Sequence, residues 1–357
     1  MPRAIKTQCL SCFRISEDIS DVIGLCAGCI KKHYEKIENR LEHIHEIVRS
    51  QFSLPGKPLK DCGGITCSVC MNECVIGEDR VGFCGLRKVS DGKLLHLGGT
   101  EKKGVLSWYR DPLPTNCVAS WICEGSDQRG FHNLAVFYEA CSMNCLFCQN
   151  WHFRQIDPQS KKLVTAEELA SYADSGTFCV CFFGGDPSPQ MPHALRTSEY
   201  LAEKGIRICW ETNGMMAKKY LDRAVCFSLK TGGCIKFDLK AFDEHLHRAL
   251  TGISNRPVLD NFERAAGRFS ERPDNPLVTV STLLVPGYIE TDEVYQIARF
   301  IAGIHPDIPY SLLAFAPQFY MSDMPFTSAR HAKEAEKAAY EAGLTNVHIG
   351  NRHLLGL

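Results

Sequence analysis

Beyond residue 132 the chain alternates short apolar runs with longer segments in which apolar residues recur at helical spacing. The runs cover residues 133–138, 177–183, 207–210, 234–239, 277–285 and 310–315. Runs of this length predict strands, and the amphipathic segments between them predict helices. Thr165-Ala-Glu-Glu168 has the form of a capping box, so one helix should begin there and carry Leu169 and Tyr172 on its inner face. Six strand-then-helix units in succession require a parallel sheet, because each parallel connection needs a crossover. The expected class is α/β, with a partial parallel (β/α)6 barrel.

In such barrels the chemistry gathers at the C-terminal ends of the strands. Here the first run leads into Cys141, Cys145 and Cys148, and the second into Gly184-Gly-Asp-Pro187. The third leads into Glu211-Thr-Asn-Gly214, the fourth into Asp238-Leu-Lys240, the fifth into Pro286-Gly287 and the sixth into Ala316-Pro-Gln318. Carboxylates, a lysine and glycines thus recur on one rim, where a purely structural barrel has no reason to concentrate them. The CxxxCxxC triad offers three thiolates, one fewer than a closed iron–sulfur cluster takes. The iron left open suits a chelating amino and carboxylate group, as in S-adenosylmethionine (SAM), and that pairing means radical chemistry.

The triad, with Phe147 just before its last cysteine, resembles the cluster loop of radical SAM enzymes. The segment from about residue 130 onward resembles a radical SAM core of the pyruvate-formate-lyase-activating-enzyme type, above all its AmmeMemoRadiSam branch. The phrases that carry the likeness are Cys148-Gln-Asn-Trp151, Asp238-Leu-Lys-Ala-Phe242, Leu284-Val-Pro-Gly287 and Val347-His-Ile-Gly-Asn351. The resemblance implies a 4Fe-4S cluster on Cys141, Cys145 and Cys148. It also implies reductive cleavage of SAM to a 5′-deoxyadenosyl radical that takes hydrogen from a protein, peptide or small molecule. Gly184 and Gly185 would expose backbone carbonyls to the SAM amino group, Asp186 would be the acid of that motif, and Lys240 would pair with the SAM carboxylate. Glu211, Thr212 and Asp238, with the Lys236 carbonyl, would hold a monovalent cation. Asn213 would reach the ribose, while Phe147, Leu284 and Val285 either border the adenine or pack in the core. A reductant such as flavodoxin or ferredoxin is implied as a partner. Ala316 stands where activating enzymes often carry a histidine, which weakens the alternative of a glycyl-radical-enzyme activating protein. A non-catalytic metal-binding adaptor is the reading from another class.

Two further cysteine sets lie upstream. Cys67, Cys70, Cys74 and Cys84 resemble the block that precedes the core in the same branch, and four such thiols suit zinc or an auxiliary iron–sulfur cluster. Cys9, Cys12, Cys26 and Cys29 form paired CxxC knuckles, the signature of a zinc ribbon. Tyr34, Ile37, Leu41, Ile44 and Ile47 then recur at helical spacing, so residues 30–50 should form an amphipathic helix whose His33, His43 and His45 face solvent. The Pro- and Gly-bearing linker 53–58 separates modules 1–52 and 59–130, and the core occupies 131–357. Cys62, Cys117 and Cys123 receive no ligand role. Cys179, Cys181, Cys209, Cys226 and Cys234 are expected as small buried hydrophobes.

With 19 cysteines, a protein built on clusters belongs in a reducing compartment, so disulfides are not expected. The 40 Lys and Arg against 41 Asp and Glu give a net charge of −1, which offers no electrostatic case for nucleic acid or an anionic membrane. No apolar run approaches the ~20 residues of a membrane span, and the polar start is unlike a secretory signal; the expected location is the cytoplasm.

Overall fold

The computed structural model describes residues 6–115 and 117–355. Its centre is an eight-stranded sheet: β1 (Leu106–Pro112), β2 (His132–Tyr138), β3 (Thr177–Gly184), β4 (Arg207–Thr212), β5 (Ile235–Asp238), β6 (Val278–Leu284), β7 (Tyr310–Ala314) and β8 (Val347–Gly350). Spatial order equals chain order, and β2 through β8 are parallel. The six apolar runs of the sequence become β2 to β7. Two strands were not read from it: β8, and β1, which runs antiparallel along β2.

The parallel strands are buried because their inward and outward faces are both apolar. Phe182 of β3 and Trp210 of β4 sit in register and pack at 4.8 Å between ring centroids. Register also aligns the polar strand ends, setting Glu211 beside Lys236 and Asp238 beside Ser281. The N-cap half of the capping box forms: the Thr165 hydroxyl accepts from the Glu168 N–H at 3.0 Å at the start of a short helix, Ala166–Ser171, while the Glu168 carboxylate turns to Lys162 and Tyr172. Among the described residues no helix is long and apolar enough to cross a membrane.

The N-terminal helix α1 spans Ala27–Ser50 and buries Tyr34, Leu41, Ile44 and Val48. It lies on the helix Glu244–Thr251, where Tyr34 stacks on His245 at 4.4 Å. His45 corrects the sequence reading, since it is 3% exposed rather than solvated. It follows Leu41 by one turn and so falls on the buried stripe, which polarity alone concealed. Its Nε2 donates to the carbonyls of Arg248 at 3.2 Å and Ala249 at 3.1 Å. Cys226 is a second correction, because it is exposed on the helix Lys218–Thr231.

Candidate active site and cysteine centres

The cysteine triad sits in the loop that leaves β2. Backbone bonds pin this loop to the end of the helix Glu244–Thr251: Asn144 N–H donates to Thr251 O at 2.8 Å and Leu146 N–H to Leu250 O at 3.0 Å. The Asn144 amide donates to His45 Nδ1 at 2.9 Å, while Arg154 donates to Asn144 Oδ1 at 3.4 Å. From the upstream block, Asn72 donates its amide to the Ser142 carbonyl at 2.8 Å. Apart from His45, which the sequence placed in solvent, none of these supporting residues was singled out from the sequence, because their partners lie far away along the chain.

Gly184 and Gly185 are required by the closeness of this loop. A Cβ on Gly184 would stand 2.6 Å from Tyr138 N, and its φ of +109° is one that side-chain-bearing residues rarely adopt. A Cβ on Gly185 would stand 2.3 Å from the Ala140 carbonyl oxygen, directly before Cys141. Burial pushes the Cys145 thiol up to about 12, against the opposing pull of the Lys240 ammonium. Burial likewise raises Cys141, with the Asp186 charge adding to it. These thiols therefore stay protonated until a positively charged metal centre displaces the proton.

The strand ends open into a cavity of about 220 Å³ lined by Cys148, Gly185, Glu211, Asp238, Ser281 and Leu313, among others. Buried Asp186 joins two of them: it accepts from the N–H of Ser188 at 2.7 Å and of Asn213 at 2.6 Å, and from the Thr212 hydroxyl at 3.1 Å. Burial raises its carboxyl to about 6 although these donors oppose the shift. The Asn213 amide in turn donates to Ser142 Oγ at 3.0 Å and approaches Cys141 Sγ at 3.5 Å. Lys240 is ion-paired with Asp238 Oδ2 and stands 5.7 Å from the Phe147 ring centroid. Asp238 Oδ1 is buried without a hydrogen-bond partner. An orphaned acceptor beside three converging thiols and a lysine fits a zwitterionic cofactor lying against a metal cluster.

Leu284 and Val285 do not border this cavity; both are fully buried, and Leu283 lines it instead. Side chains alternate along β6, so the face that carries Ser281 and Leu283 is the inner one. The two carboxylates expected to hold a cation each face an ammonium group. Glu211 lies 3.7 Å from Lys236 Nζ, and Asp238 is taken by Lys240.

Residues 135–301 match the model of the radical SAM superfamily. This chain carries a radical SAM domain. An uncharacterized protein of Methanocaldococcus jannaschii is 25% identical over 307 residues, which is 82% of each chain. The pyruvate formate-lyase-activating enzyme of Staphylococcus aureus is 27% identical over 190 residues, 50% of this chain and 73% of that protein. Among solved structures, a domain of pyruvate-formate lyase-activating enzyme from Bacteroides vulgatus aligns at 21% identity with a TM-score of 0.39, covering 48% of this chain and 99% of that one. The radical SAM domain implies a 4Fe-4S cluster and SAM, and the rim residues above fit both.

Below the rim, the radical SAM domain holds a second group of thiols inside the barrel. Lys236, 3% exposed, directs its ammonium to Cys181 Sγ at 3.0 Å and Cys117 Sγ at 3.1 Å. Burial opposes its charge, but the neighbouring Cys117, Cys181 and Glu211 raise its pKa well above the ordinary value. Cys181 and Cys234 are buried as expected, while Cys179 and Cys209 are only partly covered. The arrangement escaped the sequence because Cys117 lies upstream of the barrel and Lys236 reads there as one polar residue in an apolar strand.

The N-terminal cysteines converge tightly. The sulfurs of Cys9, Cys12, Cys26 and Cys29 all lie within 4.8 Å of one another, and Cys12 and Cys26 are 3.8 Å apart. Four sulfurs at about 2.3 Å from a tetrahedral zinc ion stand ~3.8 Å apart, so this set is already shaped for one such ion. Among the described residues no other group of three or more potential ligands is so compact.

Proposed function

We propose that the chain is a radical SAM enzyme that cleaves SAM by one-electron reduction and uses the resulting radical to abstract hydrogen from a bound substrate. The observation that carries this reading is the juxtaposition, in one cavity, of three unpaired thiols, the Lys240–Asp238 pair and the unpartnered Asp238 oxygen. When bound, the cluster would supply the electron, passed on from a reductant, and SAM the scissile sulfonium that receives it. The chain's own part is to bind and orient. Lys240 offers its ammonium to the SAM carboxylate, and the backbone at Gly184 and Gly185 approaches the SAM amino group. Asn213 reaches toward the ribose and Phe147 and Leu283 cover the base. Asp186, which also lines the cavity, locks the ends of β3 and β4 so that Asn213 stays against Cys141. With Lys236 and Lys240 neutralising Glu211 and Asp238, the chain supplies internally the positive charge that a monovalent cation would bring.

A low-potential electron donor such as flavodoxin or ferredoxin is the implied partner. Ala316 offers no hydrogen-bonding side chain, so modification of a substrate without a lasting glycyl radical is favoured over glycyl-radical activation. The test is anaerobic incubation of reduced, cluster-loaded protein with SAM, followed by mass-spectrometric measurement of 5′-deoxyadenosine. Wild-type protein should form it and Cys145→Ala should not. A Cys145→Ala protein with undiminished product would end the reading.

A further inference from the structure

We propose that Cys67, Cys70, Cys74 and Cys84 hold a second iron–sulfur cluster of the 4Fe-4S type, seated against the loop of the first, and that zinc is confined to the N-terminal set. Three observations lead to it, and the first is spacing. The two upstream sets each comprise four cysteines, yet only the N-terminal one is drawn in to the separation that a single ion demands. In the second set the chain clasps itself, with Cys67 N–H donating to Cys74 O at 2.8 Å, but its sulfurs do not form a group compact enough to hold a single ion. The catalytic triad likewise forms no such group. A cubane attaches each thiolate to a different iron, so its ligands stand farther apart than those around one tetrahedral ion.

The second observation is contact between the two loops. Asn72, between Cys70 and Cys74, donates to the carbonyl of Ser142, next to Cys141, at 2.8 Å. Met71 N–H donates to Met215 O at 2.9 Å, which fastens the same block beside Asn213, the residue that touches Cys141. The third is Arg49 at the end of α1, 2% exposed and without a carboxylate partner among the described residues. It donates to the carbonyls of Pro55 and Phe83 and lies 3.6 Å over the Phe83 ring, next to Cys84. Burial and the neighbouring Arg154 guanidinium lower its pKa to about 9, while Cys141 of the triad and Cys84 and Cys74 of the second set act in the opposite direction. A buried guanidinium between two thiolate sets is the charge expected where two anionic clusters adjoin. The coupling of the two clusters rests on the radical SAM reading, whereas the existence of the second does not.

The full-length protein, expressed with iron supplementation and isolated anaerobically, should contain about eight irons and one zinc per chain, as two cubanes and one tetrahedral site require. Replacing Cys141, Cys145 and Cys148 by Ala should leave about four irons and a reducible cluster signal in electron paramagnetic resonance. Cys70→Ala in the otherwise native chain should lose those irons yet keep the triad's, and the retained zinc shows that the chain is folded. Two zincs per chain and no iron in the triad-less protein would overturn the assignment. In the dithionite-reduced wild type the two signals should broaden one another. A spectrum equal to the sum of the two single-cluster variants would refute the contact between them. Iron confined to the second set of the wild type would instead count against the radical SAM reading and leave this one standing.

Discussion

Replacing Gly185 by Ala should unseat the catalytic loop although no reactive atom is removed. The added Cβ would lie 2.3 Å from the Ala140 carbonyl oxygen and 3.0 Å from the Tyr138 oxygen. The nearer atom is backbone, so it cannot rotate away and must retreat by ~0.7 Å to reach even a tight contact of about 3.0 Å. Overpacking of this kind costs about 1–3 kcal/mol, and the upper end applies where backbone must yield. With an unfolding entropy of about 2.1 cal/mol/K per residue, a chain of 357 residues shifts by roughly 1.3 °C per kcal/mol, so the melting temperature should fall by roughly 3–4 °C. Because Ala140 precedes Cys141, iron bound at the triad should be lost preferentially over zinc. The same substitution at Gly303, in the helix Thr291–Ile304 with nothing within 4 Å of its Cβ position, supplies the contrast. There Ala should stabilise by about 0.5–1 kcal/mol. Circular dichroism melts and iron analysis of both variants decide the matter. A Gly185→Ala protein that melts with wild type and keeps its full iron would refute the steric argument.

SAM cleavage by the wild type should proceed at the same rate, within about twofold, in potassium and in tetramethylammonium chloride, whereas Lys236→Met should slow in the latter by about tenfold, ~1.4 kcal/mol; a potassium requirement in the wild type would contradict internal neutralisation of Glu211. Stability should decline as pH falls from about 6.5 to about 4, because burial lowers His45 to about 4 and holds it neutral. Protonation then favours the unfolded chain, so the contribution is complete above the unfolded value and is lost toward the folded one, on the order of 3 kcal/mol over that window. Denaturant titrations of wild type and His45→Gln at pH 7 and pH 5 should show a smaller loss in the variant; equal losses would mean that His45 does not carry the effect.

The parallel strands and the triad were legible because each is a local signal: an apolar run of strand length, or three thiols within eight residues. The rim followed from the rule that strand ends carry chemistry, and Glu211, Asp238 and Lys240 do meet in one cavity. What the sequence hid depends on facing and partnership. A shift of one residue separates Leu283, which lines the cavity, from Leu284, which packs beneath the helices. His45 reads as one more polar position on a charged helix until the helix Glu244–Thr251 is laid beside it. Strand β1 carries Arg110 and Asp111 and lies along one edge of the sheet, so it lacked the apolar run by which its neighbours were found. Lys236 contradicts the apolar pattern of its strand, and the thiols around it together with the Glu211 carboxylate explain why it is tolerated.

The hydrogen bond from Asn144 to His45 joins the middle of the cysteine triad to a helix that begins before the barrel does. Helix α1 therefore braces the loop that carries the triad, and removing it would take away a partner of that loop. Truncation would leave a donor amide facing water where a ring nitrogen had been, in a loop whose shape decides whether metal is held.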